Sequence, residues 1–449
     1  MNTNGFVTVI LSLCFAACAH AQLSPAPLAP PLAREPKGMV AFRGARIIPI
    51  SGDEIENGVL LVENAKITAV GPVDKITIPA NATIVDAAGK VILPGFVDTH
   101  SHIGAPEGGD SSAPINPNCR VLDSLDVRNP SFQRAQAGGV TTANVMPGSG
   151  HLLSGQTLYL KNRDGNKIED LLIYQEDGSA AGGIKMANGT NSRGNPPFPG
   201  TRAKSAALVR EQYVKAVAYR DKLKKAAGDA EKMPERDLSM EALVEALDGK
   251  KIVHHHTHRH DDIITVLRLQ KEFGFKVVLH HISEGWRVAD EIAKAGAPCS
   301  VIVIDSPGGK LEARDLSLET CAILEKAGAS VAIHTDDYIT DSRLFNRSAA
   351  LAVRAGMSRK GALAALTLEG AKMLELDKRV GSLEPGKDAD FVIWSGDPLS
   401  IYSQVLETWV DGKKVFDRTD AKDRLFAEGG PGAGTPQLNL GCCAPGDDH

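Results

Sequence analysis

Short apolar runs alternate with amphipathic stretches through most of the chain, a pattern typical of β-strands that alternate with helices. The pattern is most regular in the second half, where four apolar runs are each followed by residues with helical spacing. The predicted strands there are residues 252–256, 276–281, 299–304 and 330–334, and the predicted helices are 261–273, 284–295, 316–327, 343–356 and 359–376. Earlier candidate strands are 140–146, 157–160 and 184–186. We therefore expect an α/β fold, a (β/α)8 TIM barrel of parallel strands.

Both ends of this barrel region have β character instead. Before it, residues 43–49, 58–63, 66–71 and 83–87 predict short strands, and after it residues 380–383, 389–394 and 408–416 do the same. Each set alone is too small to bury its apolar face, so we expect the two to pack together. The predicted organisation is a small β-sandwich in two parts, residues 39–94 and 378–420, around a barrel at 95–377.

The two termini predict segments outside these domains. Residues 1–21 resemble a cleavable signal peptide, with an apolar run that ends in Ala19-His20-Ala21, and this predicts a periplasmic or secreted protein. An alternative is lipidation at Cys18, which would anchor the protein to a membrane. Residues 22–38 are rich in proline and predict a linker, and residues 421–449 predict a flexible tail.

Composition narrows the classes of partner. Of the 449 residues 43% are hydrophobic but only 5% aromatic, which suits a core of branched aliphatic side chains. The formal charge of -5 gives no case for a nucleic-acid partner. No apolar run is long enough to predict an integral membrane span. A small-molecule or short-peptide substrate is the expected partner, and the oligomeric state is left open.

Histidines cluster where the predicted strands end. In Phe96-Val-Asp-Thr-His-Ser-His102, strand alternation places His100 and His102 on one face, where both can bind one metal ion. Further histidines or acids end three other predicted strands, in Val253-His-His-His-Thr-His-Arg-His260, in Val277-Val-Leu-His-His281 and in Val331-Ala-Ile-His-Thr-Asp-Asp337. The carboxyl ends of barrel strands meet at one rim, so these side chains predict a metal site there.

Four motifs are similar to those of the amidohydrolase superfamily, particularly its imidazolonepropionase-like and Xaa-Pro dipeptidase-like members. They are Leu93-Pro-Gly-Phe-Val-Asp-Thr-His-Ser-His102, Ala137-Gly-Gly-Val-Thr-Thr142, His334-Thr-Asp336 and Val380-Gly-Ser-Leu-Glu-Pro-Gly-Lys-Asp-Ala-Asp-Phe-Val392. The resemblance spans residues 40–418 and implies a metal-dependent hydrolase that cleaves C–N bonds with metal-activated water.

The resemblance also implies a set of metal ligands. They are His100, His102, His256, His281 and Asp336, together with Lys185, which in members with two metals is carboxylated and bridges them. Asp336 would also transfer the proton during catalysis, and Asp337 is the rival for that role. If Lys185 is unmodified and merely exposed at the surface, one metal is expected instead of two. Histidine-rich ligation suits Zn(2+), with iron or manganese as alternatives.

Three further residues are candidates for substrate binding: His258, Arg259 and His151. Arg259 could instead form a salt bridge with Asp261 or Asp262. The competing functions are a metal-dependent deaminase, a non-catalytic scaffold with this fold and a metal-storage protein. Against a deaminase, Arg259 stands where superfamily deaminases carry a catalytic glutamate. The identity of the substrate, in contrast, is not encoded in these motifs, because specificity in barrels lies in the loops.

Overall fold

The structure is a computed structural model, and it describes residues 38–431 and 433 apart from residues 107, 227–228, 305–309 and 338. The predicted signal segment with Cys18, almost all of the predicted linker and the last part of the predicted tail lie outside these residues.

The strands in chain order are β1 (Val40–Ile47), β2 (Ile55–Glu63), β3 (Lys66–Pro72), β4 (Thr83–Asp86), β5 (Val91–Pro94), β6 (Phe96–Ser101), β7 (Val140–Val145), β8 (Leu153–Gln156), β9 (Leu158–Lys161), β10 (Ile184–Ala187), β11 (Val253–Thr257), β12 (Val277–His281), β13 (Cys299–Val301), β14 (Val331–Ile333), β15 (Phe391–Trp394), β16 (Val405–Val410) and β17 (Lys413–Asp417). The α-helices are α1 (Ser131–Ala137), α2 (Arg202–Ala226), α3 (Leu238–Leu247), α4 (His260–Phe273), α5 (Ala289–Ala295), α6 (Thr320–Lys326), α7 (Phe345–Arg354), α8 (Arg359–Ala365), α9 (Leu368–Met373) and α10 (Ala421–Glu428).

The strands before and after the barrel form one hydrogen-bonded sheet. Its order is β17-β16-β15-β5-β1-β2-β3, with β4 paired to β1. The join between the two ends of the chain is the antiparallel pairing of β5 with β15. The two terminal segments, which the sequence predicts to pack together, therefore share one sheet.

Strands β6 to β14 form the wall of the barrel. β6 pairs in parallel with β7, and β10 to β14 pair in parallel in chain order. Ser101 at the end of β6 forms a parallel bridge with Asp337 just after β14, so the last strand meets the first. The barrel expected from the sequence is confirmed, and its parallel strands all end at one rim.

One part of the wall departs from the parallel arrangement. β9 pairs antiparallel with β7. β8, which comes just before β9 in the chain, pairs antiparallel with β10. Only residues 146–152 separate β7 from β8. A parallel return needs a crossover of about a dozen residues, so this short connection forces the chain to run back along the wall.

Several element boundaries also differ from the sequence-based expectation. The strand expected at 408–416 is a hairpin of β16 and β17, because Asp411 and Gly412 both have positive φ (49° and 71°), as a two-residue hairpin turn requires. Residues 380–383 do not form a strand, since Gly381 has φ +88° and interrupts the extended backbone.

Helical residues also differ from the expectation at several places. The helix expected at 359–376 is divided into α8 and α9 at Thr367, whose backbone leaves the helical region. The expected helices at 284–295 and 316–327 begin later, as α5 and α6.

Residues 421–428 of the expected flexible tail form α10, because the Asp420 side chain accepts hydrogen bonds from the backbone N–H groups of Lys422 and Asp423. α2 and α3 fill a region for which the pattern predicts no element.

Across the described ranges, no helix is both long enough and apolar enough to cross a membrane.

Candidate metal centre

The first two histidines project from the carboxyl end of β6 into the barrel, and both are buried. His102 Nδ1 lies 2.8 Å from the carbonyl oxygen of Met146, and because a carbonyl only accepts, Nδ1 carries the proton. In a neutral ring the lone pair is then on Nε2, which lies 3.0 Å from Asp336 Oδ1. His100 Nε2 lies 3.2 Å from the same carboxylate oxygen. Two imidazole nitrogens thus converge on one oxygen of Asp336.

Asp336 is positioned by a strained backbone just beyond β14. Its φ of 51° lies in the left-handed region, which is uncommon for a residue with a side chain. Its backbone N–H donates to the carbonyl of His100 (2.9 Å), which fixes the acid against β6. Asp98 supports the same junction by accepting hydrogen bonds from the N–H and the hydroxyl of Thr335.

Asp337, the rival acid, faces elsewhere. Its carboxylate accepts a hydrogen bond from the Ser342 hydroxyl, and burial raises its pKa to about 6. It belongs to none of the groups of described residues whose ligand atoms lie close enough to share a metal ion, whereas His100, His102 and Asp336 form one such group. The geometry therefore places Asp336, and not Asp337, beside the histidines.

A second group forms where β11 and β12 end. It consists of His256, His258 and His281, whose ligand atoms lie within 4.8 Å of one another. The ring centroids of His256 and His281 are 4.3 Å apart, and those of His256 and His258 are 4.7 Å apart. His281 has φ 69°, a second strained backbone among the candidate ligands. Burial first, and then the neighbouring imidazoles, hold the pKa of His281 well below its ordinary value, so it stays neutral as a ligand must.

Lys185 lies on β10 and is completely buried at this site. Its Nζ is 3.0 Å from His100 Nε2 and 2.9 Å from Met146 Sδ. Lys185 is therefore not exposed at the surface, which is the case in which it could not take part in the site. The lysine on β10 therefore contacts the first group of ligands, which lies at the ends of β6 and β14.

Three more buried histidines, for which the sequence predicts no role, lie beside these groups. Two of them, His280 and His334, form a third group with His100, in which the ligand atoms also lie within 4.8 Å of one another. His334 Nε2 is 3.3 Å from His281 Nδ1, and its Nδ1 is 2.7 Å from the Ser300 hydroxyl. Deeper in the barrel, His254 bridges His280 (2.9 Å) and the Tyr159 hydroxyl (2.8 Å). The signal for all three is present in the sequence, since His254, His280 and His334 each lie within the last three residues of a predicted strand, inside a quoted motif. Several histidines are adjacent in sequence, and only some of them face the metal groups. The position of each strand along the barrel wall decides which ones do.

The candidate substrate-binding residues lie in different surroundings. His258 Nε2 accepts from Lys310 Nζ (2.9 Å), so its Nδ1 carries the proton and donates to the Ser283 hydroxyl (2.7 Å). Lys310 belongs to no motif, and only the fold brings it here. Arg259 forms a two-pronged ion pair with Asp261 (3.0 and 2.9 Å), the salt-bridge alternative. His151 is buried beside Phe198, with ring centroids 5.3 Å apart, and belongs to none of the metal groups.

The donor atoms fit a divalent metal. A neutral imidazole nitrogen and a carboxylate oxygen are both acceptors, so their approach at 3.0 Å between His102 and Asp336 calls for a positive charge between them. His281 Nε2 is also buried, and no hydrogen bond to it is present among the described residues. Groups of histidines with one carboxylate are the ligands that Zn(2+) and similar ions prefer.

Comparison with known proteins shows the family of the chain. The model of the amidohydrolase family matches residues 91–416, and the chain belongs to that family. An amidohydrolase from Thermotoga maritima MSB8 with a solved structure is 35% identical with a TM-score of 0.79, over 84% of this chain and 100% of that one. The resemblance expected from the motifs is confirmed.

Three relatives show the range of activities in this family. Amidohydrolase tasK of Hapsidospora irregularis is 27% identical over 392 residues, which are 80% of this chain but 40% of that protein. A 5-methylthioadenosine/S-adenosylhomocysteine deaminase of Symbiobacterium thermophilum is 22% identical over 84% of this chain and 93% of its own length. An imidazolonepropionase of Rhizobium rhizogenes is 25% identical over 78% and 90%. The chain spans less than half of the first relative and nearly all of the other two.

Proposed function

We propose that this protein is a metal-dependent hydrolase that cleaves the carbon–nitrogen bond of an amide, a cyclic amide or a dipeptide. One observation carries the proposal: His100, His102 and Asp336, from opposite ends of the barrel sequence, converge with their ligand atoms within 4.8 Å. A buried acid held between two imidazoles has no role in packing that an apolar side chain would not fill better.

The metal would be held by His100, His102 and Asp336, and a second one by His256 and His281, with carboxylated Lys185 between them. When bound, such an ion lowers the pKa of water and polarises a carbonyl group. Asp336 is placed to accept the proton of the attacking water and to deliver it to the leaving nitrogen. The hydrogen bond from its backbone N–H to the carbonyl of His100 holds this carboxylate beside the two histidines. The family resemblance and the histidine-rich donor set support Zn(2+).

The first test is the metal content of the purified protein and of Lys185→Ala. We expect about two zinc ions per chain in the wild type and fewer in the variant, because the variant loses the bridging group. Lys204→Ala, an exposed lysine on α2, is the matched control and should keep the wild-type content. Hydrolysis of a panel of amides, cyclic amides and dipeptides is then measured on the same samples.

The outcomes separate the hypotheses. One metal in both proteins, with hydrolysis retained, would support a site with a single ion and remove Lys185 from it. No tight metal in folded protein purified without chelator and supplied with zinc would contradict the proposal and favour a scaffold. Many weakly bound ions without hydrolysis would favour metal storage.

A deaminase is the second candidate, because one relative is named as such. The position three residues after His256 is Arg259, whose guanidinium is committed to Asp261 and cannot act as a proton-transferring acid. Ammonia release from adenosine-type nucleosides that exceeds amide hydrolysis would reverse this preference.

We also propose that the protein is exported, on the strength of residues 1–21 alone. Mass spectrometry of the mature protein tests it. An N-terminus at Gln22 would support cleavage and release, a lipid on Cys18 would support the anchored alternative, and a retained Met1 would contradict both.

A further inference from the structure

The third group of histidines is made of imidazoles only. It consists of His100, His280 and His334, which are completely buried and whose ligand atoms lie within 4.8 Å of one another. His100 also belongs to the first group, where Asp336 supplies a carboxylate. Neutral imidazole nitrogens are ligands for zinc and copper, and three of them can hold one ion. The third group therefore offers a metal position for which the proposed catalytic ligands, apart from His100, do not account.

His280 is the member whose hydrogen bonds argue most directly for an ion. Its Nε2 lies 2.9 Å from His254 Nδ1, and His254 Nε2 lies 2.8 Å from the Tyr159 hydroxyl. Its Nδ1 is buried, and no hydrogen bond to that atom occurs among the described residues. When Nε2 donates to His254, Nδ1 keeps a buried lone pair without a donor, which is costly. A cation bound to Nδ1 removes that cost.

The second nitrogens of His280 and His334 have partners of the kind that ligand histidines have in metalloproteins. His334 Nδ1 lies 2.7 Å from the Ser300 hydroxyl, which in turn lies 2.6 Å from the Thr99 hydroxyl. His280 Nε2 has His254 in the corresponding place. A histidine ligand typically donates its second N–H to such an acceptor, which fixes the ring and its tautomer. Burial first, and then the neighbouring imidazoles, hold the pKa of His280 well below its ordinary value, so its ring is neutral, as a ligand must be.

The shared residue His100 decides how the first and third groups are related. Ions in both groups would lie close together, because both would be bound to this one imidazole. Two divalent ions at such a separation repel each other strongly in a buried site. Asp336 offsets part of this repulsion in the first group, whereas the three imidazoles of the third group contribute no negative charge. The two positions are therefore alternatives for one ion.

We propose that the third group is an alternative position for the metal ion of the first group. An ion there is held by His280 and His334 together with His100, without His102 or Asp336 as ligands. The inference rests on the proposed metal centre and adds to it a position that keeps the ion when the first group is incomplete. The metal content of the wild type stays at about two ions per chain.

Removal of one ligand atom from each group tests this inference. His102→Asn removes Nε2 from the first group, and the amide N–H of asparagine can still donate to the carbonyl of Met146. His280→Gln removes Nδ1 from the third group, and the amide of glutamine can still donate to His254. The metal content of the zinc-loaded full chain is measured by elemental analysis, and the positions of the ions by anomalous X-ray diffraction.

We expect about two ions per chain in each single variant, because one of the two alternative positions remains complete. The double variant His102→Asn/His280→Gln should hold about one ion, the one bound to the second group. In His102→Asn the anomalous peak should move from the first group to a position beside His280. His280→Gln alone also shows whether this substitution permits folding.

Two further double variants complete the design. His334→Asn keeps an amide donor for Ser300 and, combined with His102→Asn, should lose one ion just as His280→Gln does. His255→Asn is the matched control, because His255 is also a buried histidine but belongs to none of the groups. Combined with His102→Asn, it should leave about two ions bound.

Three results would overturn the inference: loss of an ion from His102→Asn alone, no further loss in either double variant, or an anomalous peak that stays beside Asp336 in His102→Asn. The first of these, with two ions and hydrolysis in the wild type, would leave the hydrolase proposal standing. An ion beside His280 in a protein that hydrolyses none of the panel would support this inference and contradict the hydrolase proposal. A wild type that binds no metal would contradict both.

Discussion

Strained backbone positions mark the ends of two barrel strands. His281 and Asp336 have positive φ, while His100 and His102 do not. Such conformations cost on the order of 1–3 kcal/mol each and persist where the surroundings determine them. Here the strain turns each side chain toward the barrel axis, where the ligand groups meet.

At this scale we predict that Asp336→Asn lowers kcat by about a hundredfold or more, because an amide cannot take up the proton of the attacking water. The unfolding temperature should change little, since asparagine has the same shape. Steady-state kinetics on the substrate found in the hydrolysis panel measures the effect.

Asp337→Asn provides the control, because its amide oxygen can still accept from Ser342. We expect its kcat to stay within a few fold of the wild type. If Asp337→Asn were inactive while Asp336→Asn remained active, the two aspartates would have to exchange roles.

Between elements, glycine allows a close approach where α9 meets the segment leading to β15. Gly381 has φ +88°, and a Cβ on it would lie 2.8 Å from Ala371 Cβ and 2.9 Å from Leu368 Cα. Gly386, five residues later, has φ +91° but open space around it. The two glycines therefore separate backbone strain from steric overlap.

We predict that Gly381→Ala lowers the free energy of unfolding by on the order of 3 kcal/mol and Gly386→Ala by about 1 kcal/mol. The first change adds a collision with backbone to the strain that both share. Chemical denaturation of both variants measures the difference. Equal losses would mean that α9 can shift at no cost and that the close approach does not matter.

For the whole molecule, a buried charge cluster joins the β domain to the barrel. Lys161 on β9 is 1% exposed, and its Nζ lies 2.8 Å from Asp388, 2.5 Å from Asp390 and 3.3 Å from Asp411. Asp388 also pairs with Lys66 (2.6 Å). This cluster explains the Gly-Lys-Asp-Ala-Asp motif, whose two acids lie just before β15.

The acids of this cluster titrate in opposite directions. Burial raises the pKa of Asp388, but Lys161 and the other cations more than offset it and lower it to about 2. Asp390, which has fewer cations near it, keeps a pKa raised to about 6 by burial. Asp388 thus stabilises the fold above about pH 4, and this contribution is lost as the pH falls toward 2. Asp390 has the opposite effect, because its raised pKa destabilises the fold as the pH rises from about 4 to 6.

We therefore predict that the free energy of unfolding falls between about pH 4 and pH 2, with on the order of 2 kcal/mol of the loss due to Asp388. Asp388→Asn should flatten the curve in that range, and Asp53→Asn, at an exposed position, should not. Urea denaturation across this range tests it. A curve for Asp388→Asn parallel to that of the wild type would contradict the role given to the cluster.

Much of this molecule follows from local pattern. Strand periodicity, the four motifs and the histidines at strand ends predict the barrel, its flanking β domain and a metal site at one rim, because alternation and the parallel direction of strands are local properties that the sequence displays. The hairpin at Asp411-Gly412 and α10 were open to the same reasoning, through turn and capping residues.

Only the tertiary structure decided the rest. His254, His255 and His256 are adjacent, but His256 faces the metal groups, His254 faces the deeper network and His255 faces the outer side of the wall. This assignment depends on the position of β11 in the wall. Lys310 reaches His258, and Lys161 reaches three aspartates, through contacts distant in sequence. The antiparallel run of β8 and β9 follows from a connection too short for a crossover, and its effect appears only once the neighbouring strands are in place. Such features depend on packing between segments that are distant in sequence, and local sequence patterns do not predict that packing.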